Sequence, residues 1–133
     1  MEGEKRKILI VDDDSFLLDM YALKFSQNNF EVYTVPSGVG ALEKLRGGLI
    51  PDVILMDIVM PEMDGFETLA QINKEKLCSN CVKIILSNKS EQRDIDEGKK
   101  LGAAGYIVKA NSTPAEVIDQ VVKILEKKAV VSQ

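Results

Sequence analysis

Residues 53–65 read VILMDIVMPEMDG. A short, continuous apolar run ends on the carboxylate of Asp57. Pro61 and then Asp64-Gly65 follow as turn signals. Such a run, bounded by turn residues, is the pattern of a strand covered on both faces in a parallel sheet. A charge at its end is costly unless something pairs with it. The fold and the function both turn on what meets Asp57.

The same pattern recurs on either side. KILIV (7–11), FEVYTV (30–35), DVILMD (52–57), VKIILS (82–87) and GYIVK (105–109) are short runs, most of them continuous and rich in Ile and Val. Amphipathic stretches lie between them. The spacing predicts a helix over 15–27, capped by Asp14, with Phe16, Leu17, Met20, Leu23 and Lys24 along one side. Ser37 caps a second helix carrying Val39, Leu42 and Leu45, ended by the glycines at 47–48. Asp64 caps a third over 65–77, with Phe66, Leu69, Ile72 and Lys76. Residues 91–100 form a weaker helix with Ile95 nearly alone as an apolar anchor. Thr113, Pro114 and Glu116 open the last helix as cap, first position and capping-box partner. Val117, Ile118, Val121, Val122 and Leu125 line it, and the tail 128–133 is expected to fray. Five strand–helix units in alternation predict an α/β fold, a doubly wound parallel sheet with helices on both faces.

The composition agrees. The 133 residues suit one compact domain, 1–133, with a core over about 6–127. At 45% hydrophobic and 29% charged the chain has enough apolar material for a core without metal or disulfide staples. A net charge of −4 with no long basic run argues against nucleic acid as the main partner. The apolar run 8–11 is too short for a signal peptide or a membrane span, so the expected compartment is the cytoplasm, with no membrane partner. Cys78 and Cys81 form a C-x-x-C pair that follows a helix and leads into a strand, whereas a thioredoxin-like pair needs a helix N-terminus. The chain has no histidine, and two thiolates leave a structural zinc site half filled.

In a parallel sheet the carboxyl ends of the strands share one edge, where ligands bind. Strand one ends in Asp12, Asp13 and Asp14, strand three in Asp57, strand four in Ser87 and strand five in Lys109. Carboxylates converging there repel one another, and a hard divalent cation such as Mg²⁺ is the natural remedy. Ser87 adds a hydroxyl and Lys109 a cation on a long stem. Together they suit a dianion: carboxylates hold the metal, while metal, lysine and hydroxyl hold phosphoryl oxygens. Asp57 is left as the nucleophile. Taken singly each has an ordinary explanation: Asp14 caps a helix, Ser87 belongs to a turn, Lys109 is a solvated strand end. Their joint placement is what those explanations leave over.

ILIVDDD, VILMDIVMPEMDG, IILS and GYIVK, in this order and spacing, resemble the receiver domain of two-component response regulators, over roughly residues 6–127. The resemblance implies a flavodoxin-like (βα)5 sheet in strand order 2-1-3-4-5. It implies phosphoryl transfer from a sensor histidine kinase or phosphotransfer protein to Asp57. By position, Asp13, Asp57 and the backbone carbonyl of Val59 would bind Mg²⁺ directly and Asp12 through water. Ser87 and Lys109 would hold the phosphoryl group, and Tyr106 matches the aromatic that changes rotamer as Ser87 moves inward. Helix 91–100 would shift on activation and alter binding of a downstream target. The family commonly has proline after this lysine, where this chain has Ala110, which leaves the geometry of loop 109–112 open. With little chain after the last helix, the expectation is a stand-alone switch acting by docking, as a monomer or a phosphorylation-dependent dimer, and not a turnover enzyme.

Rival chemistry is available. DDDS also reads as the Asp-x-Asp of haloacid-dehalogenase-like phosphatases, with Asp12 as nucleophile and Asp14 as acid/base. Against it, Phe16 stands where that family has Thr or Val, the chain lacks room for a cap domain, and Asp57 is left without a role. A pure interaction module would need a degraded acid site, and no acid-site residue is missing. Flavin binding would need a Ser/Thr-Gly-rich loop after strand one, which is absent. Val59 and Lys89, the second residues after Asp57 and Ser87, are the side chains expected to border an incoming phosphoryl group.

Overall fold

The computed structural model describes residues 5–131. Its elements are β1 (Arg6–Val11), α1 (Ser15–Ser26), β2 (Phe30–Val35), α2 (Gly38–Arg46), β3 (Val53–Met56), α3 (Gly65–Lys74), β4 (Val82–Ser87), α4 (Gln92–Lys100), β5 (Gly105–Val108), a 3₁₀ turn (Lys109–Asn111) and α5 (Pro114–Val131). The strands form one parallel sheet in the order β2-β1-β3-β4-β5.

Successive strand residues point to opposite faces, so each continuous run feeds two cores. Ile8, Ile10, Val53, Leu55, Ile84 and Leu86 pack with Leu18, Phe25, Val117 and Val121 from α1 and α5. Leu9, Val11, Ile54, Met56 and Ile85 pack with Leu42, Leu69 and Ile72 from α2 and α3. Each fully buried Ile or Leu contributes roughly 1.5–3 kcal/mol.

The expected caps are made. Asp14 Oδ1 accepts from Leu17 N at 3.1 Å and Ser37 Oγ from Gly40 N at 3.0 Å. Asp64 and Glu67 form a reciprocal capping box, as do Thr113 and Glu116. A cap of this kind stabilises its helix by about 1 kcal/mol.

Several expectations need correction. α1 buries Leu18, Tyr21 and Phe25, while Phe16 is 75% and Leu23 57% exposed. Val39 of α2 likewise faces solvent, and Ala41 is buried instead. α3 stops at Lys74, because the chain leaves it through left-handed residues, Lys76 at φ 57° and Cys78 at φ 48°. In α4 the buried positions are Asp94 and Gly98, and Ile95 is only half-buried. A Cβ at Gly98 would come within 2.7 Å of Ile85 Cδ1, so the helix lies close on the sheet at this glycine. α5 itself extends to Val131, with Lys128 suited to its carbonyl end. Residues 1–4 and 132–133 lie outside the described residues. All peptide bonds among the described residues are trans, including Lys109-Ala110.

Candidate functional site

Sheet register alone brings the site together. Val11 pairs with Met56, Met56 with Ile85, and Ser87 with Val108. Asp12, Asp57 and Lys109 each follow a paired strand end by one residue, and Ser87 ends β4. Two further backbone bonds continue the ladder past the strands: Asp57 N to Val11 O at 3.0 Å, and Asp12 N to Val35 O at 3.3 Å.

Lys109 Nζ is the hub. It donates to Asp12 Oδ2 at 2.8 Å and to Asp57 Oδ2 at 2.9 Å. The other oxygen of each carboxylate accepts a backbone N–H, Asp12 Oδ1 from Asp14 at 3.0 Å and Asp57 Oδ1 from Ile58 at 2.7 Å. Asp12 and Asp57 are buried and Asp13 is exposed. One oxygen from each of Asp12, Asp13 and Asp57 lies within 4.8 Å of the others. Three carboxylates against one ammonium leave two negative charges, and an all-oxygen donor set of that charge fits a hard divalent cation. The three line an open cleft of about 560 Å³ with Asp14, Leu17, Val59, Ser87, Asn88 and Lys109.

The electrostatics follow from burial and pairing. Burial pushes the Asp12 carboxyl above its ordinary range, outweighing its bonds to Lys109 and Asp14. Burial opposes the Lys109 ammonium, but its bonds to Asp12 and Asp57 carry it above the ordinary lysine value. Lys109 therefore stays charged at neutral pH, as an electrostatic clamp and not as a base.

The backbone of Lys89 joins the two remaining site residues. Its N–H donates to Ser87 Oγ at 3.3 Å, and its carbonyl accepts from Tyr106 Oη at 2.6 Å. Ser87 is fully buried; Tyr106 is half-buried, its hydroxyl pushed up to about 12 by burial and by the charges of Asp94 and Asp57. The Lys89 side chain does not reach over Asp57: its Nζ lies 3.8 Å from Asp94 Oδ1, facing α4. Val59 stands at the cleft 61% exposed.

Sequence reasoning missed the supports. Gly65 opens α3 as expected, but its sequence context does not show why a glycine stands there. A Cβ there would meet Asp57 O at 2.3 Å and Ile58 Cα at 2.8 Å. It is needed because the helix start presses on the backbone that carries Asp57, and its N–H donates to Ile58 O at 2.8 Å. Asn88 lines the cleft and nothing in its local sequence marked it. Asp94, to which sequence reasoning assigned no role, is buried, and its Oδ2 has no hydrogen-bond partner among the described residues.

Comparison with known proteins gives a consistent result. The family model described as a response regulator receiver domain matches residues 8–123. The alkaline phosphatase synthesis transcriptional regulatory protein PhoP of Bacillus subtilis is 33% identical over 122 residues, 92% of this chain and 49% of that protein. A probable transcriptional regulator, ycf27, of Guillardia theta is 32% identical over 123 residues, 92% of this chain and 46% of its own length. The chain thus spans about half the length of these curated relatives. Among solved structures, a CheY-like receiver domain protein from Methanospirillum hungatei superposes with a TM-score of 0.85 at 25% identity, covering 95% of this chain and 98% of that one. The chemotaxis protein CheY4 of Vibrio cholerae gives 0.83 at 27% identity, covering 91% and 99%.

Proposed function

Because this chain belongs to the response regulator receiver domain family, we propose that it is a switch thrown by phosphorylation of Asp57. The observation that carries the reading is the Lys109 ammonium clamped between Asp12 and Asp57 at one sheet edge, with Asp13 and Ser87 beside it.

The donor is a phosphohistidine on a sensor kinase or phosphotransfer protein. An Asp57 oxygen attacks phosphorus, an O–P bond forms, and the N–P bond breaks with its electron pair leaving on the imidazole. Asp12, Asp13, Asp57 and the Val59 carbonyl would hold Mg²⁺, which when bound neutralises charge on phosphoryl oxygens. Forming this acyl phosphate moves the negative charge of Asp57 onto the phosphoryl oxygens, and Lys109 follows it. Ser87 can donate to a phosphoryl oxygen once it turns toward the cleft. That turn breaks its bond with Lys89 N–H, and the Lys89 carbonyl is where Tyr106 is anchored. Occupancy at Asp57 is thereby passed to Tyr106 and to α4, whose Gly98 packs beside that ring. A downstream protein then reads the altered surface. Such a chain does not turn over a separate substrate.

The phosphatase reading with Asp12 as nucleophile is not favoured. Its acid/base would be Asp14, but the Asp14 carboxylate accepts the Leu17 N–H as the cap of α1. The discriminating experiment is to phosphorylate the chain with a small phosphodonor and locate the modified residue: Asp57 supports the switch, Asp12 the phosphatase.

A further inference from the structure

We propose that Cys78 and Cys81 form a reversible dithiol–disulfide site, oxidised by a low-molecular-weight disulfide. The pair sits in the turn between α3 and β4, at the sheet edge opposite Asp57. The proposal stands independently of phosphoryl transfer.

The geometry is that of a closed turn. Cys81 N–H donates to the Cys78 carbonyl at 3.1 Å. An i to i+3 bond of this kind holds the two α-carbons within about 7 Å, at the upper edge of the roughly 4.4–6.8 Å that a disulfide spans. Both cysteines are free. The turn is fixed from several sides. Leu77 N–H donates to Ile72 O at 3.0 Å, Ser79 Oγ to Lys76 O at 3.2 Å, and Lys83 Nζ to Cys78 O at 3.3 Å. These bonds hold Cys78 at φ 48°, a conformation uncommon for a residue with a Cβ. Lys83 is a strand lysine only 8% exposed, so its charge stays close to the pair.

The two thiols are not equivalent. Cys78 is half-buried and Cys81 is buried. The Cys78 thiol is held below its usual value by the hydrogen bond from Cys81, with the Lys83 charge adding to this. The same bond, together with burial, pushes the Cys81 thiol up. Cys78 is therefore the attacking thiolate and Cys81 the resolving thiol. The Cys78 sulfur attacks one sulfur of the reagent disulfide, whose S–S bond breaks and releases a thiolate. Cys81 then gives up its proton and attacks the Cys78 sulfur, releasing the second thiolate. One disulfide forms, one is reduced to two thiols, and the two protein protons pass to the leaving thiolates. Cys78 Sγ now donates to Pro51 O at 3.5 Å, ahead of β3. Oxidation removes that S–H and with it one tie to the residues ahead of β3, while the Val82 N–H bond to Asp52 O at 2.9 Å remains.

The test treats the whole native chain with excess oxidised glutathione, followed by intact mass and thiol counting. Wild type is expected to lose both thiols and two hydrogen atoms, to retain no glutathione, and to recover both thiols with a dithiol reductant. Cys81→Ser is expected to keep one glutathione on Cys78, and Cys78→Ser to react at least roughly tenfold more slowly. A wild-type chain that keeps its thiols, or carries glutathione without closing the ring, overturns the site. Equal rates for the two variants overturn the assignment of Cys78 as attacker. The wild-type measurement does not depend on either variant folding.

Discussion

Lys109 and Asp57 are 52 positions apart in sequence and 2.9 Å apart in the fold. Removing the ammonium leaves two buried carboxylates without a counter-charge. Lys109→Met is expected to cost about 3 kcal/mol in metal-free buffer, in the range for breaking a buried pair. Mg²⁺ should restore more stability to the variant than to wild type, because the site then carries one more negative charge for the cation to meet. Thermal melts with and without Mg²⁺ check both, and an unchanged metal-free melt would contradict the clamp. Gly65→Ala tests the support under Asp57. The added methyl collides with backbone, so a loss of about 1–3 kcal/mol is expected in a denaturant titration. Val59 concerns how long the phosphoryl group stays. Loss of phosphate needs a water aligned opposite the Asp57–phosphorus bond, and the exposed Val59 side chain cannot hold one. Val59→Asn should speed dephosphorylation on the order of tenfold, equivalent to about 1.4 kcal/mol off the barrier. A chase of labelled protein in Mg²⁺ measures this, and an equal or slower rate rules the control point out.

α4 is the element least secured. Its N-cap, Glu91, makes no side-chain cap hydrogen bond, and the buried Asp94 leaves one oxygen unpaired. Among the helices its amides should therefore exchange fastest, ahead of α5 with its complete capping box. Hydrogen exchange that finds the two equally protected contradicts this. α2 and α3 are tied by a bidentate pair: Arg46 Nε to Glu75 Oε1 at 2.8 Å, and Arg46 Nη2 to Glu75 Oε2 at 2.5 Å. The hydrogen bond from Arg46 lowers the Glu75 carboxyl to about 2, from 4.5. A depressed carboxyl contributes stability that is present above its unfolded value and is lost as pH falls through the folded one. The melting difference between wild type and Glu75→Gln should hold at neutral pH, narrow below 4.5 and close near 2. A pH-independent difference would place the effect elsewhere. Strands were the legible elements: continuous Ile/Val runs have no competing reading, and their ends fell within a residue of those expected. α1 was not legible on its faces. SFLLDMYALKFS is apolar on nearly every side, so periodicity could not choose, and the sheet selected Leu18, Tyr21 and Phe25. Gly65 and Gly98 were unreadable for a different reason. Neither has an unusual φ; Gly65 is pressed by the backbone of Asp57 and Ile58 and Gly98 faces the Ile85 side chain, contacts that only the folded chain makes.

Over the whole molecule, a parallel sheet aligns its strand ends, and that alone converts scattered Asp12, Asp57, Ser87 and Lys109 into one site. This was readable because the alternation of elements dictates the topology. The roles of the Lys89 backbone and of Asp94 depend on how the loop after β4 folds, which no local pattern sets. Among the described residues no helix is long and apolar enough to cross a membrane. The central claim is that Asp57 is the nucleophile of a Mg²⁺-dependent transfer. The direct test incubates wild type and Asp57→Asn with a small acyl phosphate, with Mg²⁺ or with a chelator, and maps the product by mass spectrometry. One phosphoryl group on Asp57, absent from the variant and from the chelated sample, is the predicted result. A phosphoryl group on Asp12, or uptake by Asp57→Asn at the wild-type rate, would contradict it.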